Sequence, residues 1–107
     1  MHYYDFNQIQ YKKLRDRVFL KSITGERTQL CVIHLEPGEK TDHSHPQEQI
    51  GYILSGEVEV MIGEERKSLG PGEGYYIPGG VRHGFTVGDC PVEYIEVFAP
   101  PKEENAQ

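Results

Sequence analysis

The sequence has no tryptophan, two methionines and only two cysteines. Cys31 and Cys90 lie far apart and match neither a CxxC nor a zinc-ribbon spacing. Two unpatterned thiols fit a reducing cytoplasm, and both are expected as buried free cysteines in strands. Long apolar runs are also missing. No stretch reaches the ~18 residues of a membrane-spanning helix. The polar and aromatic start, Met1-His2-Tyr3-Tyr4-Asp5-Phe6, has no apolar leader core, so a cytoplasmic location is expected. Basic residues are outnumbered, 11 against 17 acidic, for a net charge of −6. That argues against a nucleic-acid or anionic-membrane surface but not against a small anionic ligand held by a metal or a local cation. Helical periodicity is absent beyond about two turns, so residues 11–19 are expected to be a short helical turn or a loop.

What is plentiful is turn chemistry. Twelve glycines and seven prolines punctuate 107 residues. Between them lie short apolar or alternating runs at 30–35, 50–54, 57–62, 74–77 and 92–98. This spacing predicts one all-β domain over 1–107, a sandwich or barrel. Val58, Val60 and Ile62 are expected to face inward, and the charged run Glu64-Glu65-Arg66-Lys67 to form a solvated hairpin turn. One of Tyr75 and Tyr76 is expected in the core, the other in a pocket or interface. Residues 103–107 are expected to be a mobile tail.

Three of five histidines form a pattern. His43-Ser44-His45 is HxH, which places two imidazoles on one face of an extended segment. Gln49 follows after a Pro46 turn, and His83 follows a Pro-Gly-Gly turn. Nitrogen donors with one oxygen donor suit a first-row divalent metal. His34 is expected to be structural or at the surface, and Arg82 is assigned no role.

The glycine and proline frame around these histidines resembles the cupin superfamily. The first motif reads from Gly38 through His43, His45 and Gln49 to Gly56; the second reads from Gly72 through Pro78 and Gly80 to His83. Together they span 38–87. The sequence departs in a glycine-to-HxH gap one residue short, in Gln49 at the usual glutamate position, and in Val87 at the usual final asparagine. Strand alternation turns Glu48, the rival ligand, away from the face of Gln49. The resemblance implies a double-stranded β-helix jelly roll of two antiparallel sheets. It also implies one divalent ion (nickel, zinc, manganese, iron or copper) on His43, His45, His83 and Gln49.

The ending, residues 94–102, looks like that of small cupins of pectin and alginate breakdown, which convert 4,5-unsaturated monouronates to linear keto forms. Carried over by position, Glu96 takes the acid's place in proton transfer, Phe98 the aromatic's, and Lys102 that of a substrate-binding arginine. Phe85 either lines the pocket or packs in the core. Three functions stay open: a metal-dependent lyase or isomerase of a small sugar acid, an iron-dependent dioxygenase, and a non-catalytic binder of a sugar or other small ligand. The resemblance implies a homodimer. Tyr3, Tyr4, Phe6 and Tyr11, within an N-terminal extension over 1–17, either form its interface or cap their own barrel.

Overall fold

The computed structural model describes residues 2–107. Nine strands run in order: β1 (Lys12–Arg15), β2 (Val18–Thr24), β3 (Gln29–Leu35), β4 (Glu48–Ser55), β5 (Val58–Ile62), β6 (Glu65–Leu69), β7 (Gly74–Ile77), β8 (His83–Val87) and β9 (Val92–Ala99). They form a six-stranded sheet, β1-β2-β3-β9-β4-β7, and a three-stranded sheet, β6-β5-β8, with every pairing antiparallel. Period-2 alternation explains the layering. Leu20, Ile33, Ile53, Ile77 and Tyr94 of the large sheet and Val58, Val60, Phe85 and Val87 of the small one point into a shared core. This is the expected two-sheet jelly roll.

Four expectations are corrected. Residues 11–19 are neither helical turn nor loop: 12–15 form β1, paired with β2 of the same chain, and Arg17 turns the chain at φ 68°. Leu14 packs on the core from this short edge strand, a signal too brief to show periodicity. Residues 103–107 are not a free tail. A 3-10 turn, Glu103–Asn105, buries Asn105, and polar groups hold it down. Lys12 Nζ donates to the carbonyls of Glu104 (2.8 Å) and Ala106 (3.2 Å), and Ser22 Oγ to that of Asn105 (2.5 Å). Of the cysteines, Cys31 is buried but Cys90 is exposed, in the turn before β9. The charged run is exposed as expected, but Glu65 onward is strand β6 rather than turn.

Candidate metal centre

The three histidines meet because the HxH segment lies beside β8. It is extended, though outside any regular strand, and His43 pairs with His83 across an antiparallel bridge. The His43 amide donates to the His83 carbonyl (2.9 Å), the His83 amide donates back (2.8 Å), and the Thr41 amide donates to the Phe85 carbonyl (2.9 Å). Gly84 permits the approach: a Cβ there would overlap the Thr41 carbonyl oxygen. Outside, Arg82 forks onto Asp42 with contacts of 2.7 and 2.6 Å, joining the residues that precede the two paired histidines. Arg82, given no role from sequence, thus clamps this strap. His45, two residues past His43, completes the cluster. One nitrogen from each ring lies within 4.8 Å of the others.

The donor set fits a divalent ion. His45 Nδ1 donates to the Gln47 carbonyl and His83 Nδ1 to the Val81 carbonyl, each at 2.9 Å. Carbonyls only accept, so both Nε2 atoms carry lone pairs. Both are buried without a protein partner. Burial is the largest cause lowering all three imidazole pKa values, to about 4 for His43; Lys102 adds to the effect. The rings are therefore neutral at neutral pH, as ligation requires.

The large sheet supplies the other wall. Gln49 is buried in β4, whereas Glu48 is exposed, in line with the alternation argument. The Gln49 amide nitrogen donates to Glu96 Oε2, and its Oε1 is a third buried atom without a partner. An amide can donate a hydrogen bond to Glu96 through its nitrogen and turn an oxygen lone pair elsewhere; a carboxylate at position 49 would oppose Glu96 charge to charge.

Glu96 is buried in β9 between Tyr94 and Phe98, on their inward face. Burial pushes its carboxyl up to about 7, opposed by hydrogen bonds from Tyr75 and Gln49 and by the Lys102 charge. Tyr75, whose hydroxyl donates to the same Oε2, was not singled out from sequence as a partner of Glu96. Burial and the Glu96 charge hold its phenol well above the ordinary value, so it keeps its proton. The available signal was Gly51, a glycine inside a strand. A Cβ there would overlap the Tyr75 ring and hydroxyl, so the missing side chain is the space that tyrosine occupies.

The mouth carries charge. Lys102 is 14% exposed, pairs with Glu104 at 3.0 Å and lies 5.5 Å from the centre of the Phe98 ring. Arg15 of β1, which the sequence did not flag, also lines this space, 3.8 Å from the buried Glu39. Phe85 does both things expected of it: it lines the cavity and packs edge-on against Tyr75 and Tyr94. The cavity holds about 60 Å³, far below the ~300 Å³ at which ordinary small-molecule sites begin. His34 lies elsewhere, between Glu93 (3.2 Å) and Glu36 (3.4 Å).

The cupin domain family matches residues 31–98, more than half the chain. An uncharacterized protein of Streptomyces coelicolor is 29% identical over 88 residues, 81% of this chain and 84% of that protein. Dimethylsulfoniopropionate lyase DddQ of Ruegeria pomeroyi is 42% identical over 50 residues, which are 46% of this chain and only 25% of that enzyme. Among solved structures, KdgF from a Halomonas species superposes with a TM-score of 0.89 at 20% identity, covering 97% of each chain. With the jelly roll built and its motif histidines gathered at one mouth, the family match settles the lineage: the chain belongs to the cupins.

Proposed function

We propose that this cupin is a metal-dependent enzyme of lyase or isomerase type that converts an unsaturated uronate, a small sugar acid, to its linear keto form. The observation that carries the reading is the buried Glu96 carboxyl, held by Tyr75 and Gln49 in the cavity that the three histidines line. His43, His45 and His83, with Gln49 Oε1, would hold one divalent ion. When bound, such an ion polarises a coordinated carboxylate or carbonyl oxygen.

The chain's own residues do the rest. Lys102 neutralises the substrate carboxylate as it enters. Phe98 and Phe85 give the ring an apolar wall and exclude water. Opening the ring hemiacetal moves the proton of its anomeric hydroxyl to the former ring oxygen and leaves an enol; the keto form then needs one proton placed on the former alkene carbon while the enol hydroxyl gives one up. Glu96, with a pKa near neutrality, carries that proton, and Tyr75 and Gln49 fix which oxygen presents it. The change is an isomerisation and needs no oxidant. In its functional assembly we take the protein to be a homodimer.

The test loads the protein with nickel, zinc, manganese or iron(II) in turn and follows loss of the ultraviolet absorbance of a 4,5-unsaturated monouronate. Acceleration that a chelator abolishes, and that Glu96→Gln removes while the metal stays bound, supports the reading. No acceleration with any metal refutes it. The DddQ match motivates a second substrate, dimethylsulfoniopropionate, also a small carboxylate. Cleavage of that compound alone would move the proton chemistry of Glu96 to an elimination.

A further inference from the structure

The C-terminal turn brings to the cavity a side chain that the proposed chemistry does not use. Asn105 is 2% exposed and lines the same space as the three histidines and Glu96, and its Oδ1 has no hydrogen-bond partner in the protein. A buried amide oxygen left unpaired is a standing cost to the fold, and such an atom calls for an explanation.

The partners behind Asn105 decide which of its amide atoms is free. The Lys102 backbone grips the Gln29 amide on both sides: Gln29 Nε2 donates to the Lys102 carbonyl (2.9 Å), and the Lys102 N–H donates to Gln29 Oε1 (3.3 Å). The second Nε2 proton goes to Thr24 Oγ1 (3.0 Å). Gln29 Oε1 is thereby fixed as an acceptor. The buried Cys31 thiol, pushed up to about 12, keeps its proton and donates it to that oxygen (3.8 Å). A thiol has one proton, so toward Asn105 the sulfur can only accept, and Asn105 Nδ2 donates to it (3.9 Å). The nitrogen of Asn105 is engaged, and the oxygen is the atom left for the cavity. The backbone around it is anchored as well. Ser22 Oγ donates to the Asn105 carbonyl, and Lys12 Nζ donates to those of Glu104 and Ala106, so the side chain is presented from a fixed platform.

We infer, on the sugar-acid reading above, that Asn105 is a specificity-determining residue: its Oδ1 accepts a hydrogen bond from a hydroxyl of the bound acid. A lone-pair oxygen requires a donor, and a carboxylate has none to offer. An ammonium donor would bring like charge against Lys102 and Arg15, which line the same space. A neutral hydroxyl donates without that penalty. In about 60 Å³ a ligand leaves little room for a water beside it, so the ligand itself has to supply the hydrogen bond. Dimethylsulfoniopropionate has neither O–H nor N–H and would leave the oxygen unpaired.

Isothermal titration of the zinc-loaded protein tests this with two acids: D-glucuronate, and tetrahydropyran-2-carboxylate, which is the same ring without its hydroxyls. The wild type should prefer glucuronate. Asn105→Leu, close to asparagine in shape but without a lone pair, should weaken glucuronate about tenfold or more and leave the bare ring acid unchanged or tighter. Asn105→Ala gives the same comparison if the leucine variant misfolds, and the wild-type preference needs no variant at all. Equal loss of both acids, loss of neither, or a wild type that binds the two alike overturns the proposal. So does a wild type that binds neither. Weaker zinc binding in Asn105→Leu would put the oxygen on the ion and overturn it as well. The activity and the proposal fail separately. A hydroxyl preference that depends on Asn105, without turnover of the unsaturated uronate, refutes the activity alone; turnover without that dependence refutes the role of Asn105 alone.

Discussion

Gly51→Ala should destabilise this protein, although the same change in extended backbone ordinarily stabilises by about 0.4–1 kcal/mol through the unfolded chain. The sign reverses because the new Cβ would occupy the space of the Tyr75 ring and hydroxyl. Two costs combine. Forcing the ring aside in a packed interior costs about 1–3 kcal/mol. Moving the hydroxyl off Glu96 breaks a hydrogen bond to a carboxylate, about 1.5–3 kcal/mol. Tyr75→Phe removes only the second. In the double variant the hydrogen bond is lost once, so the two single costs should exceed the double by about 1.5–3 kcal/mol. Urea unfolding, followed by circular dichroism since the chain has no tryptophan, supplies all four stabilities. Costs that add to within about 0.5 kcal/mol, or a Gly51→Ala protein as stable as the wild type, would refute the claim that the glycine exists to seat the tyrosine.

Other outcomes follow from the same geometry. Added nickel or zinc should raise the melting temperature, by about 2.7 kcal/mol of stability at a hundredfold excess over Kd, and a chelator should reverse it; a His83→Ala protein that still responds would remove His83 from the ion. Glu104→Gln frees Lys102 of its 3.0 Å partner, so the KM for an anionic substrate should fall several-fold with little change in kcat; an unchanged KM would mean that this pair does not gate entry. Burial, and then the Glu96 charge, raise the Cys31 thiol from 9.0 to about 12. Below the lower value both states keep the proton; above it only the unfolded chain sheds it. Stability should therefore fall as pH rises from about 9, by up to about 1.4 kcal/mol per pH unit. Urea midpoints between about pH 8 and 10.5 that fall equally in Cys31→Ala would assign the slope to other groups.

The sequence disclosed the residues that work in pairs at fixed spacing and hid those whose partners come from afar. HxH, the Pro-Gly-Gly turn before His83 and the alternation through Tyr94, Glu96 and Phe98 are local patterns, and local patterns survive reading one residue at a time. Gln49 over Glu48 was a question of parity, and parity is local too. Tyr75 reaches Glu96 across two strand pairings, Arg15 enters the mouth from a four-residue edge strand, and the turn that buries Asn105 is held by Ser22 and Lys12, more than 80 residues earlier in the chain. Composition marked 103–107 as polar and therefore loose, because polarity does not say whether carbonyls will find donors. Residues 50–54 and 92–98 are legible as strands from the sequence, but their two apolar faces are not. Register supplies the outer one, aligning Ile50, Val97 and Tyr76 into one exposed row.

The histidines and Glu96 belong to different layers. His83 lies on the small sheet and His43 and His45 are strapped beside it, while Gln49, Tyr75 and Glu96 lie on the large one. The distance between the histidine cluster and the Glu96 carboxyl is thus an interlayer spacing, set by whatever fills the gap between the sheets. Phe85 stands there, its ring against Tyr75 on one side and Tyr94 on the other. Trimming it to leucine would let the layers settle closer without altering a ligand or an acid. On the catalytic reading proposed above, where ~1 Å of misplacement can cost a hundredfold in rate, the packing of this cavity-lining phenylalanine would be a dial on reactivity.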